Sequence, residues 1–149
     1  MSKDLQIIEE LESRFRELCI RYKLNDNNEV VGLDLITKSI TNKGLKLIGE
    51  LTSLEVLWLG NNQITKIEGL EKLANLQDLD LCNNRITTIQ GLDNLTKLEV
   101  LDLRNNQIDT IQGLDKLTKL KRLYLCNNNI PKSQIKEFQA KYPKIKIYD

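Results

Sequence analysis

The chain has 149 residues, 40% of them hydrophobic and 29% charged, which suits one soluble domain with a buried core. Its 22 basic and 21 acidic side chains leave a net charge of +1, without the basic footprint that nucleic acid or an anionic membrane requires. Histidine is absent, which removes the commonest general base and metal ligand, and no apolar run approaches the ~20 residues of a membrane span.

Residues 4–23 place Leu5, Ile8, Leu11, Phe15, Leu18 and Tyr22 at helical spacing, with acids early and bases late as the helix dipole favours. The segment lacks the apolar stretch of a signal peptide and predicts a helix that covers the open leucine end of the neighbouring coil. Asn25 to Glu29 read as a linker. Leu33 and Leu35 then alternate like a half-buried strand, followed by Ile40, Leu45, Ile48, Leu51 and Leu54. This first unit carries two extra residues near Thr41–Gly44 relative to those after it.

From Leu57 the pattern becomes strict. Leu57, Leu59, Ile64, Ile67, Leu70, Leu73 and Leu76 recur 22 residues later as Leu79, Leu81, Ile86, Ile89, Leu92, Leu95 and Leu98. They recur again as Leu101, Leu103, Ile108, Ile111, Leu114, Leu117 and Leu120. Alternation at each start predicts a short strand; the spacing of three after it predicts a tight 3₁₀-like return leg. One coil cannot bury its own leucines, so the coils must stack. Asn62, Asn84, Asn106 and Asn128 stand where a ladder of amides would satisfy the turns, with Lys38 in that place in the first coil. Pro131 interrupts the repeat; Ser133 is the expected N-cap of a helix to about Ala140 with Ile135 and Phe138 inward, ended by Pro143. Residues 144–148 then alternate like an edge strand guarded by lysines. The expected organisation is a single domain: a helical cap over 1–28, about five coils over 29–130 and a helix–strand cap over 131–149. Caps at both ends predict a complete, monomeric unit.

Each unit reads LxxLxLxxNxI, as in Leu54-Leu57-Leu59-Asn62-Ile64 and Leu120-Leu123-Leu125-Asn128-Ile130, and this pattern resembles the leucine-rich repeat. The 22-residue form is similar to the subclass named after a nuclear regulatory subunit of protein phosphatase 1, over residues 30–130. The resemblance implies an α/β fold, a right-handed horseshoe solenoid with a parallel concave sheet, that binds other proteins and needs no cofactor.

The residues between the strand leucines face the concavity, in a central column of Asp34, Trp58, Asp80, Asp102 and Tyr124. The flanking columns are Gly32, Val56, Asp78, Val100, Arg122 and Ile36, Gly60, Cys82, Arg104, Cys126. Trp58 and Tyr124 are the expected anchors of a protein partner, because aromatic residues and arginine dominate interface energetics. Asp80, Asp102, Arg104 and Arg122 are expected to set its orientation. Paired carboxylates at Asp80 and Asp102 would also suit glycoside hydrolysis or a weak cation site, but an open sheet without a pocket speaks against both. Neither a metal nor a catalytic role is expected. Cys82 and Cys126 lie two coils apart, ~9.6 Å, too far for a disulfide, and with Cys19 read as reduced cytosolic thiols. The tail from Pro131 holds five lysines against two acids, read as edge protection. The expected function is a non-catalytic, cytoplasmic protein-interaction module. The alternatives are an extracellular adhesion repeat like bacterial internalins, or a phosphatase regulatory subunit.

Overall fold

A computed structural model describes residues 2–15 and 20–149. The chain runs α1 (Lys3–Arg14), β1 (Arg21–Leu24), β2 (Val30–Asp34), α2 (Asn42–Ile48), β3 (Val56–Trp58), β4 (Asp78–Asp80), β5 (Val100–Asp102), β6 (Arg122–Tyr124), α3 (Lys132–Lys141) and β7 (Lys146–Tyr148). The strands form one open seven-stranded sheet in sequence order. β1 is antiparallel to β2, and every later pair is parallel. The leucine repeat dictates this register. Leu33, Leu57, Leu79, Leu101 and Leu123 stand opposite one another on the inner side, so a slip of one residue would turn the whole row to solvent. With Leu59, Leu81 and Leu103 beside them and the return-leg leucines behind, they make one continuous core.

The return legs are the tight turns that the spacing of three predicts. Leu73 N–H donates to the Leu70 carbonyl at 3.0 Å and Leu76 to Leu73 at 3.0 Å, and the same pair of bonds recurs at Leu92–Leu98 and Leu114–Leu120. In the first coil the two extra residues are accommodated differently, as the short helix α2. The asparagine ladder is present. Asn84 Nδ2 donates to the carbonyls of Leu59 and Leu81, and its Oδ1 accepts from the Ile64 N–H, all at 3.0 Å; Asn106 repeats the arrangement one coil on. Each amide thus spans two coils. Lys38 interrupts the ladder because the first coil has no coil before it for an asparagine to bridge to; its backbone N–H donates instead to Asn62 Oδ1.

Three expectations are corrected. The N-terminal helix ends at Arg14, and Tyr22 lies in β1, the strand that pairs with β2 and covers what would otherwise be the sheet's raw edge. Helix α1 does bury Ile7, Ile8 and Leu11, while Leu18 and Cys19 lie outside the described residues. Asn25–Glu29 is a hairpin turn rather than a linker, organised by Asn25 Oδ1, which accepts from the N–H groups of Asn27 and Glu29, both at 3.0 Å. Helix α3 starts after Pro131, two residues earlier than a Ser133 cap would place it, because proline presets the backbone for a helix start. Ile135 and Phe138 are half-buried, and β7 pairs with β6 as the alternating KIKIY segment predicts.

Residue 37 occupies a strained position. Asn61, Asn83, Asn105 and Asn127 turn each coil with positive φ (52–58°), a conformation asparagine tolerates; in the first coil Thr37 stands in the equivalent place at φ 60°. A β-branched residue is costly there. Thr37→Asn should therefore raise stability by about 1 kcal/mol, measured by urea unfolding, and no gain would show that the turn relaxes around threonine.

Candidate functional site

Strand alternation sends one set of side chains out of the sheet, and the in-phase register aligns them in columns across all seven strands. The central column reads Arg21, Asp34, Trp58, Asp80, Asp102, Tyr124, Tyr148. The column beside it reads Lys23, Gly32, Val56, Asp78, Val100, Arg122, Lys146. The face thus carries basic residues at both ends, acids in the middle and aromatics between.

The aspartates of the central column have a structural task. Asp34 Oδ1 accepts from the Ile36 N–H (3.1 Å), Asp80 Oδ1 from Cys82 (2.8 Å) and Asp102 Oδ1 from Arg104 (3.0 Å). Each carboxylate closes the turn after its own strand. The column is therefore less free to vary than its alternation with other residues implies. Trp58 and Tyr124 occupy the same column and cannot make that bond.

Asp102 departs furthest from expectation. Instead of facing a partner it is 7% exposed, covered by the Arg104 guanidinium, whose Nε donates to both of its oxygens at 3.0 and 2.9 Å and whose Nη2 donates as well. That ion pair holds the guanidinium pKa above its ordinary value. It also lays the guanidinium over the Tyr124 ring, 5.2 Å from the centroid. Tyr124 in turn stacks on Tyr148, centroids 4.5 Å apart and planes 11° from parallel. Asp102, Arg104, Tyr124 and Tyr148 thus form one layered group, with Arg122 exposed beside it. Sequence reasoning misses Tyr148. It lies 24 residues after Tyr124 because the cap helix inserts two residues into the repeat, so counting in steps of 22 passes it by.

At the other end Trp58 stands apart, 42% exposed, with Val56 beside it. The two aromatic sites are separated by Asp78 and Asp80, both half-buried. Burial and the neighbouring Asp80 charge push the Asp78 carboxyl above its usual range, with Arg122 and the Trp58 N–H opposing the shift. Asp34, Asp78 and Asp80 are thus the acids of these columns that Arg104 does not cover.

Asp80, Cys82 and Asp102 place one potential metal ligand each within 4.8 Å of one another. The donor set does not fit a cation. Burial and the adjacent carboxylates push the Cys82 thiol up to about 12, so it offers no thiolate, and both Asp102 oxygens are taken by Arg104. The carboxylate pair is no better disposed to hydrolysis, since Asp102 is shielded and each Asp serves a turn. No helix among the described residues is long and apolar enough to cross a membrane.

Comparison with known proteins agrees with the geometry. Two family models match, "Leucine Rich repeats (2 copies)" over residues 52–94 and "Leucine rich repeat" over 74–130. Among solved structures, an internalin from Listeria monocytogenes is similar at 31% identity and TM-score 0.70, over 80% of this chain and 34% of the internalin. This chain therefore spans about a third of that protein's length. The SNF/U2A′ complex of Drosophila melanogaster is similar at 25% identity and TM-score 0.69, over 94% of this chain and 80% of the matched one. PEPR1–AtPEP1 matches at 28% identity and TM-score 0.65, over 85% of this chain and 19% of the other. No curated protein matches.

Proposed function

This chain belongs to the leucine-rich-repeat family, and on that premise we propose that it is a non-catalytic module binding another protein on its concave sheet. The observation that carries the reading is the placement of aromatics in the central column. Where the column holds aspartate, the side chain ties the turn together; Trp58 and Tyr124 have no such task, and Trp58 and the Tyr148 stacked on Tyr124 present exposed aromatic surface. Exposed Trp and Tyr are the residue types that dominate protein interfaces. Asp80 and Arg122 beside them are proposed to orient the partner, with Asp102 acting through Arg104 rather than by direct contact.

The proposed site residues are Trp58, Asp80, Asp102, Arg104, Arg122 and Tyr124, the chain acting as a monomer in the cytoplasm. Two of the similar structures are complexes by name, which supports partner binding as the use of such a face. The phosphatase-regulatory subclass remains a proposal drawn from the 22-residue pattern. An adhesion or recognition role is the second reading, favoured by the 31% identity to the Listeria internalin. The test is affinity capture with wild type beside the Trp58→Ala/Tyr124→Ala double variant, both checked for melting temperature. Trp58 is exposed, whereas Tyr124 is half-buried between Arg104 and Tyr148, so the double variant should lose about 1 kcal/mol of stability, through Tyr124, while the captured partner is lost. A partner held equally by both proteins would place binding on the caps or the convex side.

A further inference from the structure

The sheet face near its N-terminal end is not flat. A hollow of about 360 Å³ opens there, bounded by Trp58, Val56, Gly32, Lys23 and Arg21, with Asp34 next to Arg21 and Glu55 also in the lining. Its cause is Gly32. In the column Lys23–Gly32–Val56–Asp78 this is the one position without a side chain, so the sheet is bare between Lys23 and Val56, with Trp58 walling the adjacent column. A side chain there would need only a small shift of the edge strand β1. A Cβ on Gly32 would meet only the Lys23 Cβ, at 3.3 Å, and its backbone is not in the left-handed region.

Charge also differs between the strand that edges the hollow and the strand beyond Val56. Arg21 and Lys23 stand on β1, and neither is ion-paired among the described residues; Asp78, on β4, is equally without an ion pair and lies beside Asp80. Three strand spacings, ~14 Å, separate β1 from β4, and the hollow lies over β2, ~5 Å from β1 and ~10 Å from β4. Strands β2 to β4 are paired on both sides, so the face offers no free backbone groups to an extended segment. A segment lying across it must satisfy its own backbone, which is what a helix does. One helical turn, ~5.4 Å, matches the step from the hollow to β1, and two turns match the step to β4.

We propose that the hollow over Gly32 receives one large apolar side chain from a partner helix that crosses the strands, with an acidic residue one turn to the Arg21/Lys23 side and a basic residue two turns to the Asp78 side. This rests on the concave-face reading above and adds to it the chemistry of the partner.

The test is selection from a displayed library of helical peptides of about 18 residues, long enough to hold a helix, varied at three positions, the first one turn from the second and the third two turns beyond it. Baits are the full chain and its Gly32→Val, Trp58→Ala, Asp78→Asn and Tyr124→Ala variants, each checked for melting temperature. Valine fills the hollow and suits a strand, so Gly32→Val should stay folded and bind the selected peptides about tenfold more weakly or worse. Trp58→Ala, which removes a wall rather than filling the hollow, should weaken them too. Selected sequences should carry acid, large apolar and base in that order or its reverse, and Asp78→Asn should relax the demand for a base. Failure to enrich any peptide, or peptides that bind Gly32→Val and Trp58→Ala as well as wild type, would overturn the proposal. Among such peptides, loss on Tyr124→Ala would leave concave binding standing at the other end of the sheet. Retention on all four variants would overturn that reading too.

Discussion

Asn62→Ala is expected to lower the unfolding free energy by about 4 kcal/mol, and Asn84→Ala and Asn106→Ala by only about half as much, although the three residues occupy the same rung of successive coils. The difference lies in who else serves the same backbone groups. The Leu59 carbonyl accepts from both Asn62 and Asn84, and the Leu81 carbonyl from both Asn84 and Asn106. Removing Asn84 therefore leaves both carbonyls with a donor and orphans one buried group, the Ile64 N–H. Asn62 sits at the ladder's start. Its Oδ1 accepts from two N–H groups, those of Lys38 (3.0 Å) and Ile40 (2.9 Å), and its Nδ2 supplies the Leu35 carbonyl, whose own coil has Lys38 where the others have an asparagine donor. Each orphaned buried group costs roughly 1–3 kcal/mol, so three outweigh one. At the far end Asn128 also lacks a following neighbour, but it is half-buried and water can replace its amide, so Asn128→Ala should cost least. Urea unfolding of the four alanine variants checks the order. Equal losses across the ladder would mean that the amides act by packing alone and that the shared carbonyls confer no redundancy.

That gradient is written in the residues, but only part of it is legible without coordinates. The repeat of seven apolar positions specifies strand, return leg and register together, because a coil that must bury leucines on every turn has a single way to stack. The columns of the sheet come from the same count. What the count does not contain is the behaviour of polar side chains toward their own backbone. Asp34, Asp80 and Asp102 look like free surface acids, yet each bonds the N–H two residues on, and Arg104 folds back on Asp102 rather than reaching outward. The Asn-Asn doublets at 61–62, 83–84, 105–106 and 127–128 do announce two separate roles, a left-handed turn residue and a ladder amide, although only the second is dictated by the leucine pattern. At the N-terminus two periods compete. Phe15, Leu18 and Tyr22 continue a helix, whereas Ile20, Tyr22 and Leu24 alternate as a strand, and the unpaired edge of β2 decides for the strand.

Gly49→Ala should destabilise the protein by about 3 kcal/mol or more, against the local expectation. Gly49 stands just after helix α2 with right-handed backbone angles (φ −62°, ψ −10°), where alanine is ordinarily favoured over glycine by close to 1 kcal/mol. The objection comes from the next coil. A Cβ at residue 49 would lie 1.7 Å from the Gly69 carbonyl oxygen and 2.9 Å from its carbonyl carbon, both backbone atoms that no rotamer change can move. Gly69 itself holds φ +87° with Lys46 backbone atoms at 2.9–3.1 Å from any Cβ it might carry, so this junction is closed from both sides. Relief requires the first coil to swing away from the second, and β2 and β3 are the strands those coils contribute. The hollow over Gly32 spans the same two strands. Gly32→Ala serves as the reference, because its Cβ meets a single atom, the Lys23 Cβ on the edge strand β1 at 3.3 Å, which a shift of a few tenths of an ångström relieves, and it should alter stability by less than about 1 kcal/mol. If Gly49→Ala instead unfolds at the same urea concentration as wild type, the α2 coil has room to pivot. Peptide binding at the hollow should then change with it, since Val56 and Gly32 would no longer stand one strand spacing apart in the present register.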